Sequence, residues 1–362
     1  MEDHSYTFSA IRGIQAGREY YIIMCPFRLL SKIFLFNEEE IPAQLRAQRV
    51  LNKARVPEIA GYIIKNPKDY CFSAITASVN GDVKFSPLSD DEFGKNVGRL
   101  VIGMSSIFVI NDGQHRRAAI EEALKLKPEF GNEKICVVLF IDRGLKRSQQ
   151  MFADLNKFAV RPSGSLGVLY DQHDPLAELT RLIIDKVPVF ENMIELEKTS
   201  ISNRSKKLFT LNGLYLANKS LLFKNKRQNI KISSTEEQTA IDFWTNVSKS
   251  IDQWQMVKEG EMNPSDFRKE YICAHGVALQ ALGHVGGGLL VNYSNVWKDK
   301  IKLLRSLNWK RNNSKLWEGR ASVGGRMTSS PANILLTSAA IKKHISIQLT
   351  PEETSLEKSV HK

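Results

Sequence analysis

The chain has 362 residues, 42% hydrophobic and 25% charged, which is enough apolar surface for two cores and excludes a disordered polymer. Its formal net charge of +12 favours a polyanionic partner, nucleic acid ahead of acidic membrane. No stretch reaches the apolar length of a membrane span and the start, MEDHSYTF, carries acids in place of an apolar signal segment, so the expected compartment is the cytoplasm.

Ser5–Ile11 and Glu19–Phe27, separated by Gly13–Gly17, read as an opening hairpin. Pro42–Leu51 and Val56–Lys65 read as helices, the second with Ile59, Ile63 and Ile64 on one side. Ser73–Val79 and Asp82–Phe85 flank Asn80-Gly81, the strongest short hairpin signal in the chain. Further strands are expected at Arg99–Ile102, Ser106–Ile110 and Lys134–Ile141, and a helix at Lys146–Phe158. Together they predict a mixed α/β unit over 1–160.

Within that unit, Ser105–Lys127 (SSIFVINDGQHRRAAIEEALKLK) is the most informative stretch. Ile107–Ile110 is a short apolar run suited to a strand buried on both faces. The run breaks at Asn111-Asp112-Gly113, and a helix follows with His115, Arg116 and Arg117 in its first turn. A helix start offers unpaired N–H groups and partial positive charge, and the arginines add to both, so an anion or phosphate site is expected. The other reading, an Asp112 N-cap with a solvated arginine face, fits less well because cations in a first turn oppose the macrodipole.

Beyond Pro162 strand signals fade. Helical periodicity runs through Leu176–Asp185, Ser234–Lys258, Asp266–Gly283, Ser294–Leu307 and Asn333–His344, predicting a helical domain over 161–350 and a frayed polar tail over 351–362. Lys198–Lys231 holds nine cations and no acid, with Phe209, Tyr215 and Phe223 interleaved. Arg204, Lys206, Lys207, Lys224, Lys226 and Arg227 are its candidate DNA contacts, since phosphate contact needs long cations. A solvated loop whose aromatics serve the core is the competing reading. A second basic stretch, Lys298–Arg326, ranks lower because its tryptophans suit helix packing.

There is no GxxxxGK[ST], HExxH, GxSxG or zinc-deaminase string. Cys25, Cys71, Cys136 and Cys273 show no metal-ligand spacing, so each is expected to act as a small hydrophobe and no metal site is expected. Gly286-Gly287-Gly288 reads as a flexible helix end, and His275 and His284 as core or surface histidines.

DGQHR and the helix start after it resemble the signature of DGQHR-domain proteins. With Gln48–Tyr70, Phe152–Leu179 and Trp317–Gly325, the resemblance extends over nearly the whole chain to the DndB family, regulators of bacterial DNA phosphorothioation gene clusters. That family is similar to the ParB/sulfiredoxin superfamily, whose members hold nucleotide phosphates on a Gly-x-x-Arg turn; Gly113-Gln114-His115-Arg116 matches it. Gln114 stands where sulfiredoxins carry their catalytic cysteine, so sulfinic-acid reduction is not implied.

The resemblance implies an α+β fold, a ParB/sulfiredoxin-like N-terminal domain followed by a mostly helical one. It also implies a phosphate site of Gly113, His115, Arg116 and Arg117, closed by Arg49, Asn156 and Arg161, with a nucleoside triphosphate and Mg²⁺ as ligand. Asp112, Gln114 and His115 are the candidate catalytic groups, His115 being able to move protons near neutral pH. The expected function is DNA-binding regulation, a repressor acting at promoter DNA and responsive to a nucleotide. A nucleotide-hydrolysing enzyme using the DGQHR turn, and an interaction subunit docking on other phosphorothioation proteins, are the other readings. Self-association into a homo-oligomer stays open.

Overall fold

Buried Phe8 and Ala10 alternate with more exposed neighbours in Ser5–Gln15 (β1), as do Tyr21, Ile23 and Cys25 in Arg18–Pro26 (β2). This period-two pattern turns one face of each strand to a core. The strands pair antiparallel out to Gln15 and Arg18, and the two residues between them, Ala16 and Gly17, both take positive φ (51° and 69°). That is the mirror-image turn whose twist matches a two-residue hairpin. The computed structural model describes residues 4–34, 52–143, 147–157, 162–202, 204–222 and 231–360. The chain falls into two units, Met1–Val160 and Arg161–Lys362. The fold is mixed α/β, as the α+β reading expects.

The first unit adds strands Ile75–Asn80 (β3), Val83–Pro87 (β4), Val97–Gly103 (β5), Ile107–Asp112 (β6) and Lys134–Ile141 (β7), and helices Phe27–Ile33 (α1), Val56–Lys65 (α2), Gln114–Leu126 (α3) and Ser148–Lys157 (α4). The seven strands run β4-β5-β1-β2-β7-β3-β6, antiparallel except for the β3–β7 pair. Ala60 and Ile63 of α2, Ala119, Ile120 and Ala123 of α3, and Leu30 of α1 join the core of this unit. The expected helix Pro42–Leu51 lies outside the described residues.

Asn80-Gly81 does not close a hairpin. β3 pairs with β6 and β7 while β4 pairs with β5, five positions away in the ladder. A flat sheet would separate strands five positions apart by about 24 Å, yet the link from Asn80 to Val83 reaches about 11 Å at most. The sheet therefore curls on itself. Gly81 serves the close approach this creates: a Cβ there would lie 2.8 Å from the Ser106 Cα. The strand β6 is likewise an edge, not an inner strand, and Ile107 is exposed at its start. Phe108 and Ile110 face the core of the unit, and helix α4 packs over the strand, bonding Asn111 through Ser148.

The second unit holds Gly164–Tyr170 (α5), Pro175–Lys186 (α6), Leu211–Leu221 (α7), Ser234–Ser250 (α8), Asp252–Lys258 (α9), Pro264–Glu270 (α10), Gly276–Asn292 (α11), Trp297–Lys302 (α12), Ser314–Trp317 (α13), Pro331–His344 (α14) and Pro351–Val360 (α15). Two of the expected long helices are split, at Ile251 and around Tyr271–His275, where the backbone turns extended. The triple glycine lies inside α11 and does not end it. Gly283 and Gly286 let α11 approach its neighbours, since a Cβ at Gly283 would sit 2.3 Å from the Ala217 carbonyl and one at Gly286 2.5 Å from the Phe243 ring. Helix α11 packs against α7 on one side and α14 on another. Trp244, Trp254, Trp309 and Trp317 are fully buried, the last two stacked at 5.6 Å. Among the described residues no helix is long and apolar enough to cross a membrane.

The tail is not frayed over 351–360. Thr350 and Glu353 form a reciprocal cap: the Glu353 N–H donates to Thr350 Oγ1 (3.2 Å) and the Thr350 N–H to Glu353 Oε2 (2.8 Å). From α15 the buried Glu353 accepts from the buried Lys342 Nζ (2.8 Å) and from Ser338 Oγ (2.8 Å). Glu357 takes Arg320 in a fork at 2.7 and 2.9 Å, and Lys343 as well. Burial pushes the Glu357 carboxyl up, but the hydrogen bonds and charges of Arg320 and Lys343 outweigh it and hold the group at about 2.

This carboxylate ties acid stability to the tail. A pKa depressed below the unfolded value of 4.5 gives stabilisation present in full above 4.5 and lost as pH falls toward about 2. Thermal melts of the wild type should decline through that window, and Glu357→Gln should be less stable at neutral pH and lack this part of the decline. Superimposable profiles for the two proteins would dissociate α15 from acid stability.

Candidate functional site

The DGQHR turn is built from the edge strand upward. In the β3–β6 ladder Ala77 faces Ile110 and Thr76 faces Asp112, so Asn111 is an extra residue, a bulge on β6. Its side chain is fully buried: Asn111 Nδ2 donates to Ser78 Oγ (2.8 Å) and Oδ1 accepts from Ser148 Oγ (2.6 Å). One amide thereby ties β6 to β3 and α4. The chain then reverses at Gly113, whose φ of 105° lies in the left-handed region, and enters α3 directly. A Cβ at Gly113 would meet Ile75 Cγ1 at 2.9 Å, so both conformation and space require glycine. No side chain caps the start of α3 and no acid lies in its first turn.

The side chains of the motif diverge. Arg116 reaches back to Asp112 Oδ2 (2.7 Å) and donates to Ser73 Oγ, so Asp112, Gly113 and Arg116 close on one another. Arg117 points elsewhere, pairing with Glu121 (2.8 Å) and donating to the Ser31 carbonyl of α1 (3.4 Å). Nε of both arginines is buried without a hydrogen-bond partner among the described residues. Gln114 Nε2 donates to the Ile110 carbonyl (3.3 Å). The His115 Nε2 accepts from the Asn52 N–H (3.0 Å), which fixes the neutral tautomer with its proton on Nδ1. Partial burial and then the Arg55 charge hold the His115 pKa below its ordinary value, against the pull of Asp112.

The structure thus brings Asp112, Gly113 and Arg116 together, sets His115 on the adjoining backbone of Asn52, and sends Arg117 to a structural pair. Asn156 donates to the Phe152 carbonyl of its own helix (2.8 Å), not to the turn. Arg49 and Arg161 lie outside the described residues. Ser73, Ser78, Asn52 and Ser148 enter the site with no sequence signal, because each acts through a contact distant in the chain.

In the second unit Arg204 and Lys206 are exposed on the loop before Phe209–Thr210 (β8) and form no ion pair among the described residues. Lys207 is half-buried, its Nζ on the Asn192 carbonyl (3.0 Å). The loop is held from beneath by Arg268, which donates to the carbonyls of Ser202 (3.2 Å), Ser205 (2.5 Å) and Lys207 (2.6 Å). Phe209 is buried, and Tyr215 donates to Asp174 Oδ2 (2.7 Å), so these aromatics serve the core. Lys224, Lys226, Arg227 and Phe223 lie outside the described residues. Of the second basic stretch, Arg305 pairs with Asp252 and Arg320 with Glu357, while Trp297, Trp309 and Trp317 are core residues. Cys25 and Cys273 are buried and Cys136 partly so, but Cys71 is exposed and does not act as a core hydrophobe.

A family model described as DndB, DNA-sulfur modification-associated, matches residues 8–348. No curated protein and no solved structure matches the chain.

Because Gly113 has positive φ and no room for a Cβ, Gly113→Ala should cost about 1–3 kcal/mol of stability. Asn111→Leu, which removes the hydrogen bonds to the Ser78 and Ser148 hydroxyls, should cost a similar amount, about 1–3 kcal/mol. Denaturant unfolding checks both, and a Gly113→Ala protein as stable as wild type would refute the requirement for glycine.

Proposed function

The chain belongs to the DndB family, associated with DNA sulfur modification, and on that premise we propose that it is a cytoplasmic DNA-binding regulator of a phosphorothioation gene cluster, a repressor, whose DGQHR turn senses a nucleoside phosphate. The observation that carries the DNA half is the basic loop: Arg204 and Lys206 are exposed, unpaired among the described residues, and presented on backbone that Arg268 holds in place. Backbone held in this way lowers the ordering cost of bringing the two cations to phosphates.

The sensing half rests on the uncapped start of α3 beside Arg116. A phosphate seated on the first-turn amides would compete with Asp112 for that guanidinium, so occupancy would be read as a change in the turn. This is the same strand–turn–helix arrangement on which the ParB/sulfiredoxin-like reading of the first unit depends. A hydrolase is less well supported, because Asp112, Gln114 and His115 are each engaged in holding the turn. Mg²⁺ on the Asp112 Oδ2 oxygen would compete with Arg116, which holds it.

Titrations of promoter and scrambled duplexes at several salt concentrations test the DNA half. Replacing Arg204 and Lys206 together with Gln should flatten the log affinity against log salt slope by about two and weaken both duplexes alike. An unchanged slope would take the contact off this loop; equal affinity for the two duplexes would remove sequence-specific regulation. For the sensing half, calorimetry with ATP, with and without Mg²⁺, should show binding that Arg116→Ala weakens about ten- to a hundredfold. Phosphate release on mixing would instead favour the hydrolase.

A further inference from the structure

We propose that the second unit carries an oxyanion pocket of its own, for a phosphorylated small molecule of about nucleotide size. This goes beyond the DGQHR reading and does not rest on it. The pocket is a cavity of about 660 Å³, the size of an ordinary small-molecule site. Its walls are the loop Thr199–Ile201, the start of α7, one side of α10 and the first turn of α11. A cavity of this volume admits a mononucleotide and not a duplex.

The charge of the pocket has one sign. Arg268, Lys269 and Arg311 line it, and among the described residues no Asp or Glu does. Arg311 is the decisive group. Its guanidinium donates to the carbonyls of Arg268 (3.2 Å) and Gly325 (3.1 Å), which fix its position, and it has no carboxylate partner among the described residues. A fixed guanidinium without a counter-charge at a cavity wall is a ready partner for an oxyanion. Lys269 pairs with Asp266 (2.9 Å), but both are well exposed and such a pair yields to a ligand at small cost.

The other donors converge on the same space. Helix α11 starts in the wall, with no side-chain cap and no acid in its first turn. Nothing lies within 4 Å of where a Gly276 Cβ would sit, so the first residue of α11 looks onto open volume. His275, just before it, hydrogen-bonds through Nε2 to the Arg268 carbonyl (2.8 Å). Burial first, and then the two arginines, push its pKa down to about 4, so the ring stays neutral and positions the wall. The field in the cavity comes from the arginines and the helix start together.

Calorimetric titration of the full chain with inorganic phosphate, pyrophosphate and ATP tests the assignment, using wild type, Arg311→Gln, Gly276→Leu and Arg116→Ala. At least one probe should bind the wild type, and both Arg311→Gln and Gly276→Leu should weaken that event at least tenfold while Arg116→Ala leaves it unchanged. Should Arg311→Gln fail to fold, Gly276→Leu decides, since its side chain enters open space and blocks the pocket without touching the core. No binding of any probe up to about 1 mM overturns the proposal. So does a result in which Gly276→Leu weakens no binding event, or in which the one event seen is lost with Arg116→Ala, which would place it at the DGQHR turn.

Discussion

The first unit depends on one buried amide. Asn111 is an extra residue in β6, and its side chain lies on the face of Val109 and Ser78, away from the core that holds Phe108 and Ile110. On that face Ser78 and Ser148 occupy its donor and acceptor. Edge strand, inner strand and covering helix are then joined at the point where the chain must leave the sheet. Asp112, Gly113 and Arg116 follow within five residues, so the geometry of the turn is set by this amide. A leucine of similar volume would fill the space but could not choose between registers, because apolar contact is not directional.

Much of this was legible in the chain and some of it was not. The strand–turn–helix at Ile107–Leu126, the opening hairpin and the helical second half follow from period-two and period-3.6 patterning, which depends on near neighbours. Asn80-Gly81 misled because a turn-forming dipeptide reports local conformation, whereas pairing is decided by the ladder; β4 found β5 and β3 found β7. The capped start of α15 was present in Thr350-Pro351-Glu352-Glu353, a capping-box pattern with proline at the first helical position, but the polar character of the tail hid it. What makes that helix stay, the pairing of Glu353 and Glu357 with Lys342, Arg320 and Lys343, lies in contacts no spacing rule reveals.

The net charge of +12 also divides once the fold is known. Arg320 and Lys342 are buried structural partners of carboxylates, and Arg268 is a brace for carbonyl oxygens. Arg117 closes α3 onto α1. Counting cations in a segment therefore overstates the surface available to an anion, and the remainder that matters is small: Arg204 and Lys206 on the loop, Arg116 at the turn, Arg311 in the cavity. Arg311 is held by two backbone carbonyls and Arg116 by Asp112 and Ser73, while Arg204 and Lys206 stand on a loop whose backbone Arg268 braces.

The position of β7 bears on how the chain is made. It is the last strand of the first unit in sequence but an inner one in space, wedged between β2 and β3. During synthesis β1, β2, β4 and β5 can assemble as one antiparallel patch and β3 with β6 as another, and each then shows an unpaired ladder edge until Lys134–Ile141 has emerged. Such edges recruit other strands, from the same chain or from a neighbouring nascent one. The apolar run ICVVLFI is thus both the keystone of the sheet and its period of greatest vulnerability on the ribosome. Delayed translation just before residue 134 would lengthen the exposure, and a chaperone that holds strand edges would shorten its consequences.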